Sequence, residues 1–143
     1  MPRVFIDSSV LFSAAYSSKG HARDLIIMAA RNEIRLVIGV TRRDLADFTP
    51  EALSALEQIF DAIDFEIINP SKADVIEAAK IVALNTAAIL AAVNVAQVDM
   101  FVTLDKKHLV NRPELEAYAR TLILRSVDAY QRITGLIKNS KSP

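Results

Sequence analysis

Two carboxylates in this chain stand where they can do chemistry. Asp7 directly follows the apolar run Val4-Phe5-Ile6, and Asp105 comes shortly after Met100-Phe101-Val102-Thr103. Each run is β-branched and aromatic and too short for a helix, so each reads as a buried strand that delivers an acid to its carboxyl end. In a parallel α/β sheet, ligands collect outside those ends. Carboxylates brought together there repel and resist ionising together unless a cation lies between them, and hard oxygen donors suit Mg²⁺ or Mn²⁺. Such an ion polarises a phosphoryl oxygen and lowers the pKa of a bound water, which is the chemistry of phosphate-ester hydrolysis. The plainer alternative has Asp7 capping a turn with Ser8 and Ser9 and Asp105 beginning the turn to Leu109. Spacing alone leaves both open.

The elements needed to position these acids are legible as alternating units. Asp-Ser-Ser after the first strand reads as a polar loop. Ala22, Leu25, Ile26 and Ala29 follow the spacing of a one-sided helix, and Leu36-Val37-Ile38 is a second strand bounded by Gly39. Thr49-Pro50-Glu51 pairs a capping hydroxyl with proline at the first helical position, and Leu53, Leu56, Phe60 and Ile63 continue the helical stripe. Phe65-Glu66-Ile67-Ile68 is a third strand, and Ser71 with Asp74 caps a helix expected to run through Leu84. An alanine-rich helix follows over 86–95, then the strand leading to Asp105, a last strand over 121–124 and a last helix over 127–133. The Phe60, Phe65 and Phe101 rings follow core periodicity and read as packing, not as base-stacking platforms. Short apolar strands alternating with amphipathic helices predict an α/β fold, a three-layer α/β/α domain with a central, mainly parallel sheet. One domain over 1–135 and a frayed polar tail over 136–143 are expected.

The composition narrows the function. At 143 residues and 52% hydrophobic, the chain is sized for one continuous core, and its 17 basic and 17 acidic residues cancel. A nucleic-acid role must therefore rest on local clusters and not on a global field. Cysteine is absent, which removes disulfides, thiolate ligands and cysteine nucleophiles and fits a reducing compartment, so the cytoplasm is the expected location. The opening apolar run is closed by Asp7 too early for a signal-peptide core, and the longest apolar stretch, 87–102, is broken by Asn94, Gln97 and Asp99, so no membrane span is expected.

The stretch Val4-Phe5-Ile6-Asp7-Ser8-Ser9-Val10-Leu11-Phe12-Ser13-Ala14, with Lys19-Gly20 and Ala22-Arg23-Asp24-Leu25 after it, resembles the opening of PIN-domain proteins. Val98-Asp99-Met100-Phe101-Val102-Thr103-Leu104-Asp105-Lys106-Lys107-His108-Leu109 resembles their late strand and acidic turn. The two segments bracket most of the chain, and their order and separation make the pair more specific than either alone. The resemblance implies a Mg²⁺- or Mn²⁺-dependent ribonuclease fold, common among the toxins of bacterial toxin–antitoxin pairs. It implies single-stranded RNA as the substrate class, with an antitoxin protein and a second copy of the chain as candidate partners. It makes Asp7 the first metal acid, Asp105 the last, and Ser9 a hydroxyl support.

The middle of the motif departs from that pattern. The family's Glu after the second strand is matched by Asp47 in Leu45-Ala46-Asp47-Phe48, with Asp44 as the fallback, so the expected catalytic set is Asp7, Asp47 and Asp105. Where the family has an Asp opening the helix before the late strand, this chain reads Asn85-Thr86, and Thr86 falls on the acid's position. A neutral hydroxyl or amide still ligates or holds a water but brings no charge, so metal affinity falls. Asp99 is a candidate compensating ligand, although the family often has an acid there without a catalytic role and the peripheral reading is preferred. Lys106, Lys107, Arg42 and Arg43 are candidate phosphate contacts on the rim, each weighed against ordinary solvated charge. His108 reads as a rim residue and His21 as part of a helix entry. The alternative to a nuclease is a weakened or inactive domain kept for RNA or protein binding. A phosphatase of the haloacid dehalogenase type ranks lower, because those enzymes place a second Asp where this chain has Ser9. A receiver domain would want paired acids after its first strand, which are missing.

Overall fold

In the computed structural model, which describes residues 1–16, 20–39, 49–82, 84–105 and 109–140, the apolar runs become strands. These are β1 (Arg3–Ile6), β2 (Arg35–Ile38), β3 (Phe65–Ile67), β4 (Met100–Val102) and β5 (Leu122–Leu124). Between and after them come α1 (Ser8–Tyr16), α2 (His21–Ala30), α3 (Pro50–Ala62), α4 (Lys72–Ala78), α5 (Leu84–Ala96), α6 (Pro113–Ala119) and α7 (Ser126–Ser140). The strands form one sheet in the order β3-β2-β1-β4-β5, and every neighbouring pair is parallel. Parallel strands need crossovers, and the crossovers put helices on both faces, which is why the central strands read as continuous apolar runs. Val4, Ile6, Leu36, Ile38, Met100 and Val102 point into one core with α1, α2, α3 and α7. Phe5, Val37, Phe101 and Ile123 point into the other with α4, α5 and α6. The fold is thus a three-layer α/β/α sandwich. Among the described residues no helix is long and apolar enough to cross a membrane.

Three local expectations are corrected. The polar residues after β1 are not a loop. Asp7 is the N-cap of α1, its main-chain oxygen accepting from Val10 N and Leu11 N at 3.2 and 3.3 Å and its side chain accepting from Val10 N at 3.2 Å. The helix capped by Ser71 and Asp74 has the expected reciprocal capping box but ends at Ala78 and not at Leu84. There Lys80 N and Ile81 N bond three residues back and tighten the turn, and the chain re-enters as α5, which buries Ala87, Leu90 and Ala91. The last helix, expected over 127–133, is longer, Ser126–Ser140, and the end of the expected tail, 141–143, lies outside the described residues. Tyr130, Ile133 and Ile137 recur on one side and pack on the first core, which carries the helix to Ser140. His21 opens α2 as expected, and its ring lies 4.9 Å from that of Tyr130.

Gly39, just past β2, marks a close approach. A Cβ there would lie 3.1 Å from Cζ of Phe5 and 3.4 Å from both the Ala92 Cβ and the Ile68 oxygen. The Phe5 ring is fully buried and packed edge-on against Phe101, so it has little room to give. Gly39→Ala is expected to lower stability by about 1–3 kcal/mol, the usual range for overpacking. Urea denaturation checks this, and an unchanged midpoint would mean the ring moves aside freely.

Candidate active site

Strand register decides which carboxyl-end residues meet. Ile6 pairs with Val102, and Val102 with Leu124. Asp7 and Thr103 are therefore neighbours, each one residue beyond its strand. The chain leaves β1 toward β2 and β3 on one side, while β4 and β5 lie on the other. The direction of strand progression reverses between β1 and β4, and the crevice at such a reversal is where open α/β sheets bind ligands.

Asp7 is the centre of this edge, with only 8% of its surface exposed. Ser9 Oγ and Val10 N donate to its Oδ1, and Thr103 Oγ1 donates to its Oδ2 at 2.5 Å. Burial pushes the Asp7 carboxyl above its ordinary value, and the hydrogen bonds from Ser9, Thr103 and Val10 pull back against that shift. With the Ser9 backbone N–H as well, four donors serve this carboxylate, matching the roughly four acceptor positions it has. A buried acid at the strand-order reversal of a parallel sheet is a hard oxygen donor of the kind that suits a divalent cation. Asp7 thus caps α1 and also stands at the strand-order reversal.

Asp105 reaches the same edge. Its main-chain N–H donates to Thr103 Oγ1 at 3.1 Å, and its oxygen accepts from Leu109 N and Val110 N at 3.3 and 3.4 Å. Ser9 Oγ, which donates to Asp7, also accepts from Leu104 N at 3.2 Å. Thr86 is half-buried in the first turn of α5. Arg3 Nη1 binds the Ala96 and Gln97 oxygens at 2.6 and 3.0 Å, which ties the end of α5 to the amino edge of the sheet. Thirteen residues of helix span about 20 Å, so the start of α5, with Asn85 and Thr86, lies toward the carboxyl edge.

Asp99 does not join them. It precedes β4, its Oδ2 accepts from Arg3 N at 2.7 Å, and its own N–H donates to the Arg3 oxygen at 2.8 Å. That is the amino edge, a strand length from Asp7, so Asp99 fastens β1 to β4 and is not a ligand at the Asp7 crevice. Asp47, Asp44, Arg42, Arg43, Lys106, Lys107 and His108 lie outside the described residues. Among the described residues no group of three His, Asp or Glu stands close enough together to hold a metal ion. Of the three expected acids, Asp7 and Asp105 are the two that the described residues place at this edge.

Sequence reasoning did not single out Thr103 as a functional residue. It is fully buried, and its hydroxyl joins the Asp7 carboxylate to the Asp105 backbone. The signal in the chain was a polar residue at the first position beyond Met100-Phe101-Val102, matching the place of Asp7 beyond Val4-Phe5-Ile6.

No protein-family model matches the chain, and no curated protein matches it. Its fold is similar to the crystal structure of PAE2754 from Pyrobaculum aerophilum. The TM-score is 0.56 at 13% sequence identity, with 94% of this chain and 90% of that chain covered. At that identity the likeness concerns the fold, and it extends over nearly the whole of both chains.

Proposed function

We propose that the chain is a Mg²⁺- or Mn²⁺-dependent ribonuclease of the PIN kind, working in the cytoplasm on single-stranded RNA. The observation that carries this reading is the buried Asp7 at the β1–β4 reversal, with the Asp105 backbone tied to it through Thr103. Asp7 and Asp105 would hold the metal, with Asp47 as the third acid. The metal, when bound, supplies charge neutralisation at a scissile phosphate and an acidified water. Ser9 and Thr103 orient the Asp7 lone pairs, and burial beneath the α1 entry keeps bulk water off that carboxylate. Cleavage of a single-stranded RNA in Mn²⁺, abolished by chelation and by Asp7→Asn or Asp105→Asn, tests the reading. Cleavage that survives chelation rules it out.

A second reading rests on Thr86, which brings no charge to the start of α5. In that reading the domain binds RNA or a protein partner such as an antitoxin without cutting. RNA affinity with no cleavage at any Mn²⁺ concentration favours it.

Either reading makes RNA affinity salt-dependent, since a chain with balanced charge offers the backbone only local patches. Replacing Lys106 and Lys107 together is expected to lower the log–log salt slope by about 0.7 for each phosphate that the variant no longer neutralises. Fluorescence anisotropy across a salt series measures it, and an unchanged slope makes both lysines ordinary surface.

A further inference from the structure

We propose that Thr103 is the positioning residue that sets Asp105 relative to Asp7. Its consequence for metal binding rests on the ribonuclease reading, while the mechanical linkage does not. Strand β4 ends at Val102, and after Thr103 N, which still donates to the Leu124 oxygen at 3.0 Å, the next main-chain N–H groups have no ladder partner and must find acceptors. Leu104 N uses Ser9 Oγ, and Asp105 N uses Thr103 Oγ1.

A hydroxyl carries one hydrogen and two lone pairs. Both hydroxyls give that hydrogen to Asp7 and accept from the loop, so each has a defined polarity from carboxylate to backbone. Thr103 is fully buried, so water cannot replace it, and its β-branched side chain is stiff. The Asp105 peptide is gripped at both ends. Its N–H is held by Thr103, and its oxygen by the N–H groups of Leu109 and Val110, whose side chains are buried in the α5–α6 core. Ser9 holds Leu104, an exposed residue, whereas Thr103 holds the acid itself.

The test uses the full chain with Thr103→Val, Thr103→Ser and Ser9→Ala, read by amide hydrogen exchange and by Mn²⁺ titration. Thr103→Val, which keeps the shape and loses the hydroxyl, is expected to speed Asp105 amide exchange and weaken Mn²⁺ binding, each on the order of tenfold. Thr103→Ser should return both to near the parent. Ser9→Ala should release the Leu104 amide and leave that of Asp105 protected. A merely structural threonine would lower the melting temperature in both Thr103 variants without this residue-specific pattern. Unchanged Asp105 protection in Thr103→Val, or equal loss in Thr103→Ser, overturns the proposal. If the parent binds no Mn²⁺, the metal-site reading falls, and the exchange pattern still decides the role of Thr103. Should Thr103→Val fail to fold, the parent decides: a slowly exchanging Thr103 hydroxyl proton close to the Asp105 amide supports the linkage, and its absence overturns it.

Discussion

Asp7→Asn is expected to abolish tight Mn²⁺ binding and to flatten the pH dependence of metal-free stability. Burial holds the folded-state pKa of Asp7 above its ordinary value of 3.8. As pH rises past that ordinary value, the unfolded chain releases the proton first, so stability is full below it and is lost up to the raised folded pKa. The slope in that window approaches about 1.4 kcal/mol per pH unit. Asparagine does not titrate and lacks this slope. It also cannot serve the same donors: with its oxygen facing Ser9 and Val10, its NH₂ faces Thr103, whose buried hydroxyl hydrogen then has no acceptor, at a cost of about 1–3 kcal/mol. At pH near 4 the variant should be the less stable form, and the gap should narrow as pH rises and the parent loses stability. Urea denaturation in chelator from acid to neutral pH, repeated with Mn²⁺, reads both effects. Parallel pH profiles together with an unchanged Mn²⁺ response would make Asp7 a helix cap and nothing more.

The strands that carry Asp7 and Asp105 were legible because a parallel sheet buried on both faces leaves continuous apolar runs in the chain. The α1 entry was not, since Asp-Ser-Ser satisfies a turn and a helix start equally, and only the donors from Val10 and Leu11 separate the two. Asp99 illustrates the limit of spacing. It is six residues from Asp105, yet an intervening strand puts the two at opposite edges, and strand direction, not chain distance, decides which acids meet. Thr103 escaped notice for the complementary reason. Its partner Asp7 is 96 residues away, and only the Ile6–Val102 register brings the two hydroxyl-bearing segments together. The helical tail beyond 136 was hidden by its polarity, which describes its exposed side while Ile137 holds the other to the core.

Thr86→Asp is expected to tighten Mn²⁺ binding by about tenfold, because a third carboxylate raises the ligand charge at a hard-cation site. The start of α5 lies toward the same edge as Asp7 and Asp105, and this is the position at which the PIN resemblance calls for an acid. Without metal, the added charge repels Asp7 and further disfavours its ionisation, so the chelated variant should melt below the parent. The helix N-terminus offsets part of that, by about 0.3–1 kcal/mol, since an acid in the first turn is favoured there. Metal should then stabilise the variant more than the parent, with the difference growing as the logarithm of free Mn²⁺ over the dissociation constant. Thermal melts of both proteins with and without Mn²⁺, beside cleavage of single-stranded RNA, measure the effect, and cleavage should rise with the affinity. A metal-induced shift in the variant no larger than in the parent would show that Thr86 does not face the crevice. Asp99 would offer no substitute, because it is committed to the opposite edge of the sheet.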